Sequence, residues 1–227
     1  MKMSPAHREA PGRSLMRELL SERNQYPERA EAIDARIRSV FERKLAVLVL
    51  DMVGFTNLSK KLGIISYLAM IAKMVAAGRP AILANGGRVI KVEADNLFAV
   101  FDRVDDALEA GLAIFASFDA INGVVPDDHD IHGSIGIGYG PILVVDDEDL
   151  FGCEMNLASK LGEDIAGSTE ILLSLAAYEA LAPAEYPFDS CREVIGGEPL
   201  DFFRYRREVD PDGVVLMALL KQGRSLA

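Results

Sequence analysis

The sequence predicts an α+β fold in which helices lie over one antiparallel or mixed sheet, close to a ferredoxin-like βαββαβ core. Three observations predict it. The continuous apolar run "LAVLVLDM" (residues 45–52) reads as a buried strand that ends in an acid. The segment "RVIKVEADNLFAVF" (88–101) reads as two strands around a tight turn. Stretches of helical periodicity separate these strands. The order is therefore roughly β-α-β-β-α-β-β-α-β, not the regular alternation of a doubly wound sheet.

The elements follow in chain order. Residues 1–12 are polar and carry Pro5, Pro11 and Gly12, so disorder is expected. From 13 to 43, apolar residues recur at helical spacing. Leu15, Leu19 and Leu20 share one face, and Ala32, Ile33, Ile37, Val40 and Phe41 another, with Pro27 as the break. This predicts a helical arm over 1–44, packed on the main domain; a dimerisation or regulatory arm is the alternative. The main domain runs from 45 to 207 and a tail from 208 to 227.

Within the domain, Thr56 or Asn57 can cap a helix after the first strand. Residues 64–85 predict a long helix, closed by Gly86 and Gly87, and 105–121 a second. "IHGSIGIGYGPILVVDD" (131–147) predicts a pair of strands around Gly140 and Pro141. Residues 156–166 predict a helix with Leu157, Leu161 and Ile165 as its buried stripe. A strand (170–174), a helix (175–182) and two late strands (189–197, 200–208) complete the pattern. "GIGYG" (136–140) lacks the following helix of a dinucleotide-binding loop and reads as a strand ending in a turn. No internal repeat or low-complexity segment is present.

Composition limits the function classes. The chain has 227 residues, and 24 basic minus 35 acidic groups leave a net charge of −11. That argues against nonspecific binding to nucleic acid, whose phosphates demand basic patches. Cys153 and Cys191 form neither a CxxC motif nor a disulfide framework, which fits a reducing compartment. The N-terminus lacks the apolar core of a signal peptide. The longest apolar runs, such as "LAVLVL" and "VVLMALL", are too short to cross a membrane. A cytoplasmic protein is expected, with no membrane partner.

Two acids stand out. Asp51 ends the first strand where the chain turns at Gly54 toward a helix. Backbone N–H groups at such a junction favour an anion. A carboxylate beside an anion site suits a cation between them, as magnesium uses one or two carboxylates plus substrate phosphates. The plain alternative is a helix cap. Asp95 sits in the hairpin bend, where a turn aspartate is equally ordinary. If the first strand and the hairpin are neighbours, the two acids can share a metal pair of the kind that clamps in-line attack at phosphorus.

The segments "LDMVGFTNLS", "KVEAD" and "LFGCEMNLASKL", in this order and spacing, resemble the signatures of the class III nucleotidyl cyclase catalytic domain, the adenylyl and guanylyl cyclases. The resemblance covers about 45–205. It implies that Asp51 and Asp95 hold two magnesium or manganese ions on a nucleoside triphosphate. It implies that backbone N–H groups of the turn after Asp51, with Val53, Gly54, Phe55 and Thr56, hold phosphate. Lys91 and Asp149 match the base-reading pair, Asn156 the residue that orients the ribose, and Lys160 the position of a transition-state arginine. The family further implies a head-to-tail homodimer, with the metal acids from one chain and the base readers, asparagine and cation from its partner.

Adenine offers an amino donor and a ring-nitrogen acceptor, which a carboxylate and an ammonium match. Lys91 with Asp149 therefore favours ATP. A shift of one or two places in "DDED" would move the acid's role to Asp147 or Glu148. Asn156 and Lys160, four apart, share a helix face; a solvated face gives the same spacing.

Three departures from the family pattern bear on activity. Lys160 lacks arginine's planar fork. Ala94 replaces the usual glycine before the hairpin acid. The late segment "EVIGGEPL" has no phosphate-binding lysine. The expected function is adenylate cyclase. The alternatives are a weak or inactive cyclase-homology domain that binds nucleotide or a partner, and a cyclase for another nucleotide such as GTP.

Overall fold

The structure, a computed structural model, describes residues 12–53, 63–126, 129–182, 186–195 and 197–206. The expected disordered N-terminus (apart from Gly12), the capping residues Thr56 and Asn57, and the 208–227 tail lie outside the described residues.

The arm comprises helices α1 (Arg13–Gln25) and α2 (Ala30–Phe41), separated by a short 3₁₀ turn that opens at Pro27. Proline at the first helical position costs no hydrogen bond, so it starts the turn and ends the preceding helix. Met16, Leu19, Ile33, Ile37 and Phe41 bury their apolar stripe against Val145 and Leu143 of the sheet. The Arg23–Asp34 ion pair ties the two helices together.

Eight strands form one sheet: β1 (Glu42–Met52), β2 (Arg88–Glu93), β3 (Asn96–Phe101), β4 (Gly133–Val145), β5 (Asp149–Phe151), β6 (Ile171–Ser174), β7 (Phe188–Ile195) and β8 (Glu198–Tyr205). The order is β2-β3-β1-β4-β6-β8-β7, with β5 paired to β4. β2, β3, β1 and β4 are antiparallel to one another, and β4 pairs β6 in parallel. Helices α3 (Ile64–Ala84) and α4 (Val104–Asn122) complete the βαββαβ core. The α+β, ferredoxin-like expectation therefore holds.

Alternation along β1 divides the molecule. Ala46, Leu48, Leu50 and Met52 face α3 and α4 in the main core. Leu45, Val47 and Val49 face the opposite side, with Phe98, Val100, Ile142, Val144 and Leu150. Asp51 continues this second row at its end. Both sides of β1 are thus buried except where the charge sits, which explains its unbroken apolar run.

Two expectations need correction. Residues 133–145 form one continuous strand rather than a pair broken at Gly140 and Pro141. β1 pairs along this strand without interruption, through Lys44 opposite Pro141. On its other edge β4 meets β6 at 135–137 and β5 at 143–145, so Pro141 falls in a gap where its missing N–H costs no ladder bond. Secondly, α3, at 21 residues, is long and apolar enough by length and composition to cross a membrane. In this fold one face of it, with Tyr67, Met70, Met74 and Ile82, is buried against α4 and the sheet, while Ile64, Ile65, Leu68 and Leu83 are exposed.

On the second side lies α5 (Cys153–Lys160), which runs into a π-helical turn at Leu161–Ile165. Its seat is a row of glycines on one face of β4. A Cβ on Gly136 would lie 2.0 Å from the Ala158 carbonyl oxygen, and one on Gly138 2.3 Å from that of Glu154. "GIGYG" is therefore a helix seat within a strand, neither a nucleotide loop nor a strand end. Helix α6 (Leu175–Ala180) follows β6, its first turn capped by Ser174.

Candidate active site

Strand register brings the two predicted metal acids together. Asp51 of β1 pairs with Asn96 of β3, and Asp95 immediately precedes Asn96 in the β2–β3 turn. Asp51 is pushed up to about 7, first by burial and then by the charge of Asp95 and of Glu163 on the π-helical turn. Glu163 is itself pushed up, by burial first and by Asp164, Asp95 and Glu93 as well. Carboxylates crowded to this degree disfavour one another's ionisation, and a divalent cation relieves that repulsion.

The row Glu93, Asn96, Asp51, Ser134 crosses three strand pairs on one face. Within it the Asn96 Oδ1 is buried without a hydrogen-bond partner. An unpaired amide oxygen between carboxylates suits a cation or its water, so the donor set fits the implied metals. Among the described residues no three acid, histidine or cysteine side chains converge as a self-sufficient metal cage. Two carboxylates with the rest of the shell left to phosphate and water is the usual magnesium arrangement.

The base-reading pair is also assembled. A bulge in β2 between Val89 and Lys91 shifts the pairing by one residue. Without it, strict alternation from Val89 would turn Lys91 toward the helices and the core. With it, Lys91 pairs with Phe98, on the same face as Asp51, and its Nζ lies 5.0 Å from the Phe98 ring centroid. Lys91 Nζ donates to Asp149 Oδ1 at 3.1 Å and meets Glu93 Oε2 at 2.8 Å. Burial works to lower the Lys91 pKa, but bonds to Glu93 and Asp149 outweigh it and the net shift is upward. The ammonium charge is thus secure at neutral pH.

Asp149 owes its place to the β4–β5 turn, where Asp146 and Asp147 both take left-handed backbone conformations. Aspartate tolerates that region better than most residues, so the acid run is turn chemistry as much as solvation.

Asn156 and Lys160 lie on α5 four residues apart; Asn156 is exposed, and Lys160 is half-buried and pairs with Asp164 at 3.7 Å. No contact joins them to Lys91 or Asp149 within the described chain. The Val53 N–H donates to the His132 carbonyl at 3.0 Å, so this amide already serves the sheet. Gly54, Phe55 and Thr56 lie outside the described residues. Ala94 adopts the left-handed φ of 51° that a glycine would take without strain.

Three participants were missed from sequence. Asn96 carried no signal beyond its position after Asp95. Glu163 sat on what read as a helix end. Arg13 lay in the arm, yet its Nη2 is 3.6 Å from Asp149 Oδ2 and 3.4 Å from Glu148 Oε2.

Known proteins share this arrangement of strands. An adenylyl cyclase, CyaB from P. aeruginosa, superposes with a TM-score of 0.57 at 21% identity, covering 74% of this chain and 96% of that one. The fold is that of a nucleotidyl cyclase catalytic domain. An adenylate/guanylate cyclase/hydrolase from Silicibacter pomeroyi gives a TM-score of 0.61 at 24% identity, with 74% and 99% covered. In sequence, an adenylate cyclase of Streptomyces coelicolor is 28% identical over 140 residues, 62% of this chain and 35% of that protein. A Rhizobium meliloti (strain 1021) relative, whose name also carries the words adenylate cyclase, is 28% identical over 123 residues, 54% of this chain and 21% of its own length. The chain thus spans about a fifth to a third of these curated relatives. No protein-family model matches it.

Proposed function

We propose that this cyclase-fold domain is an adenylate cyclase, converting ATP to cyclic AMP and pyrophosphate in a head-to-tail homodimer. The observation that carries the proposal is the Lys91–Asp149 pair, held at 3.1 Å on the same sheet face as Asp51. The relatives named adenylate cyclase support the same reading.

In this reading, Asp51 and Asp95 hold two magnesium or manganese ions, with Asn96 Oδ1 beside them. Bound there, the ions supply charge neutralisation at the triphosphate and at the attacking ribose oxygen. Asp149 accepts a hydrogen bond from the adenine amino group, and Lys91 donates to a ring nitrogen. These two base readers, with Asn156 and Lys160 that meet the ribose and the phosphate, come from the partner of the copy that supplies Asp51 and Asp95. The ribose 3′-hydroxyl attacks the α-phosphorus in line, and pyrophosphate departs. Asp51 or water takes the proton.

One observation favours a weak or inactive domain instead. Lys160 is partly neutralised by Asp164 in its own chain and lacks the fork of arginine. A cyclase assay with manganese and each of ATP, GTP, CTP and UTP, beside Asp51→Ala, decides. Cyclic AMP that vanishes in the variant supports the proposal. A different cyclic product moves the base reading, and no product from a folded dimer favours the binding module.

A further inference from the structure

Resting on the cyclase reading, we propose that Arg13 of the arm is a positioning residue for Asp149, and through it a determinant of nucleotide preference. An open cleft of about 420 Å³ is lined by Arg13 from α1, Lys91 and Glu93 from β2, and Asp149 from β5. The two oxygens of Asp149 are divided between two cations. Lys91 takes Oδ1 at 3.1 Å, and Arg13 approaches Oδ2 at 3.6 Å. Arg13 is itself anchored: its backbone N–H donates to Asp146 Oδ2 at 2.9 Å, and its guanidinium lies 3.4 Å from Glu148.

This division matters when a base enters. Lys91 has three N–H donors and spends two on Asp149 and Glu93, so a ring nitrogen takes the third and draws the ammonium toward the base. The carboxylate is then held less firmly at Oδ1 at the moment it must meet an amino group. Arg13, on the opposite oxygen, keeps the group oriented and leaves Oδ1 turned into the cleft. Guanine presents a carbonyl at the corresponding position, which Asp149 repels, so holding the carboxylate in place also discriminates against it. The arm thereby contributes to the site as well as to the hydrophobic cluster beneath it.

The test compares wild type with Arg13→Ala, Arg13→Lys and Arg23→Ala, whose ion pair lies within the arm and away from the cleft. Binding of a fluorescent ATP analogue and KM values for ATP and GTP are measured on the full chain. Arg13→Ala is expected to weaken ATP binding and raise its KM about threefold, the scale of one part-exposed ion pair. The KM for GTP should move less, Arg13→Lys should restore part of the loss, and Arg23→Ala should reproduce none of it. In an Asp149→Asn background, Arg13→Ala should add nothing.

Tighter ATP binding in Arg13→Ala would make the arginine a plug of the cleft and overturn the proposal. Equal effects on both nucleotides, or the same effect from Arg23→Ala, would reduce it to arm packing. If wild type turns over ATP and Arg13→Ala matches it, this inference fails alone. If wild type binds no nucleotide, the cyclase reading fails and takes this inference with it.

Discussion

Substituting Gly136 by alanine should unseat α5 and remove activity well beyond its effect on folding. The added Cβ would stand 2.0 Å from the Ala158 carbonyl oxygen and 2.6 Å from the Gly162 nitrogen. Both neighbours are backbone, so no rotamer change can make room. Real Cβ contacts are essentially never under 3.0 Å, so helix and strand must part by about 1 Å. Overpacking of this kind costs typically 1–3 kcal/mol, and the immobile neighbours put Gly136→Ala at about 3. For a domain of this size that lowers Tm by about 6–12 °C. Displacing Asn156 and Lys160 by about 1 Å can cost on the order of 100-fold in rate. Gly140→Ala is the matched control. Its first contact is the Glu154 Cγ at 2.9 Å, a side-chain atom, so about 1 kcal/mol or less is expected. Thermal melts with cyclase assays at a temperature where both variants are folded give the comparison. If Gly136→Ala melts within 2 °C of wild type, within about 1 kcal/mol, the account of α5's seat is wrong.

Three further outcomes are expected. Asp51 carries a proton in the folded, metal-free protein over a window, about pH 4 to 7, in which the unfolded chain does not. Metal-free stability should therefore fall as pH rises through that window, and manganese affinity should fall by up to tenfold per unit below pH ~7; Asp51→Asn should flatten the stability slope. Ala94→Gly should raise Tm slightly, because relief of about 1–2 kcal/mol of left-handed strain exceeds the 0.5–1 lost to a freer unfolded chain; a lower Tm would show that the turn is not strained. Lys160→Arg should raise kcat with little change in the KM for ATP, and an unchanged kcat would remove Lys160 from its transition-state role.

Much of this was legible in the sequence because it is written in local patterns. The even apolar run of β1 announces a strand buried on both sides, and the turn between 93 and 96 announces a hairpin. Other features depend on partners far along the chain. Pro141 read as a strand break because a proline's tolerance depends on which edge it faces, and that edge is set by β5 and β6. The bulge before Lys91 has no sequence signature. Period-2 reading from Val89 would have placed this lysine in the core, yet the bulge is what turns it toward Asp149. The alternation Gly136, Gly138, Gly140 was visible, but its purpose appears only once α5 lies across it. Arg13 was one basic residue in a charged helix until the β4–β5 turn brought Asp146, Glu148 and Asp149 beneath it.

The central claim is that one active site is built from two copies, metal acids from one and α5 with the base readers from the other. Co-expressing Asp51→Ala with Asn156→Ala tests it most directly. Each variant alone should be inactive, because both sites of its dimer lack one half. Random pairing makes about half the dimers mixed, each with one intact site of two, so about a quarter of wild-type activity should return. A mixture no more active than the separate variants, with mixed dimers shown to be present, would contradict a shared site.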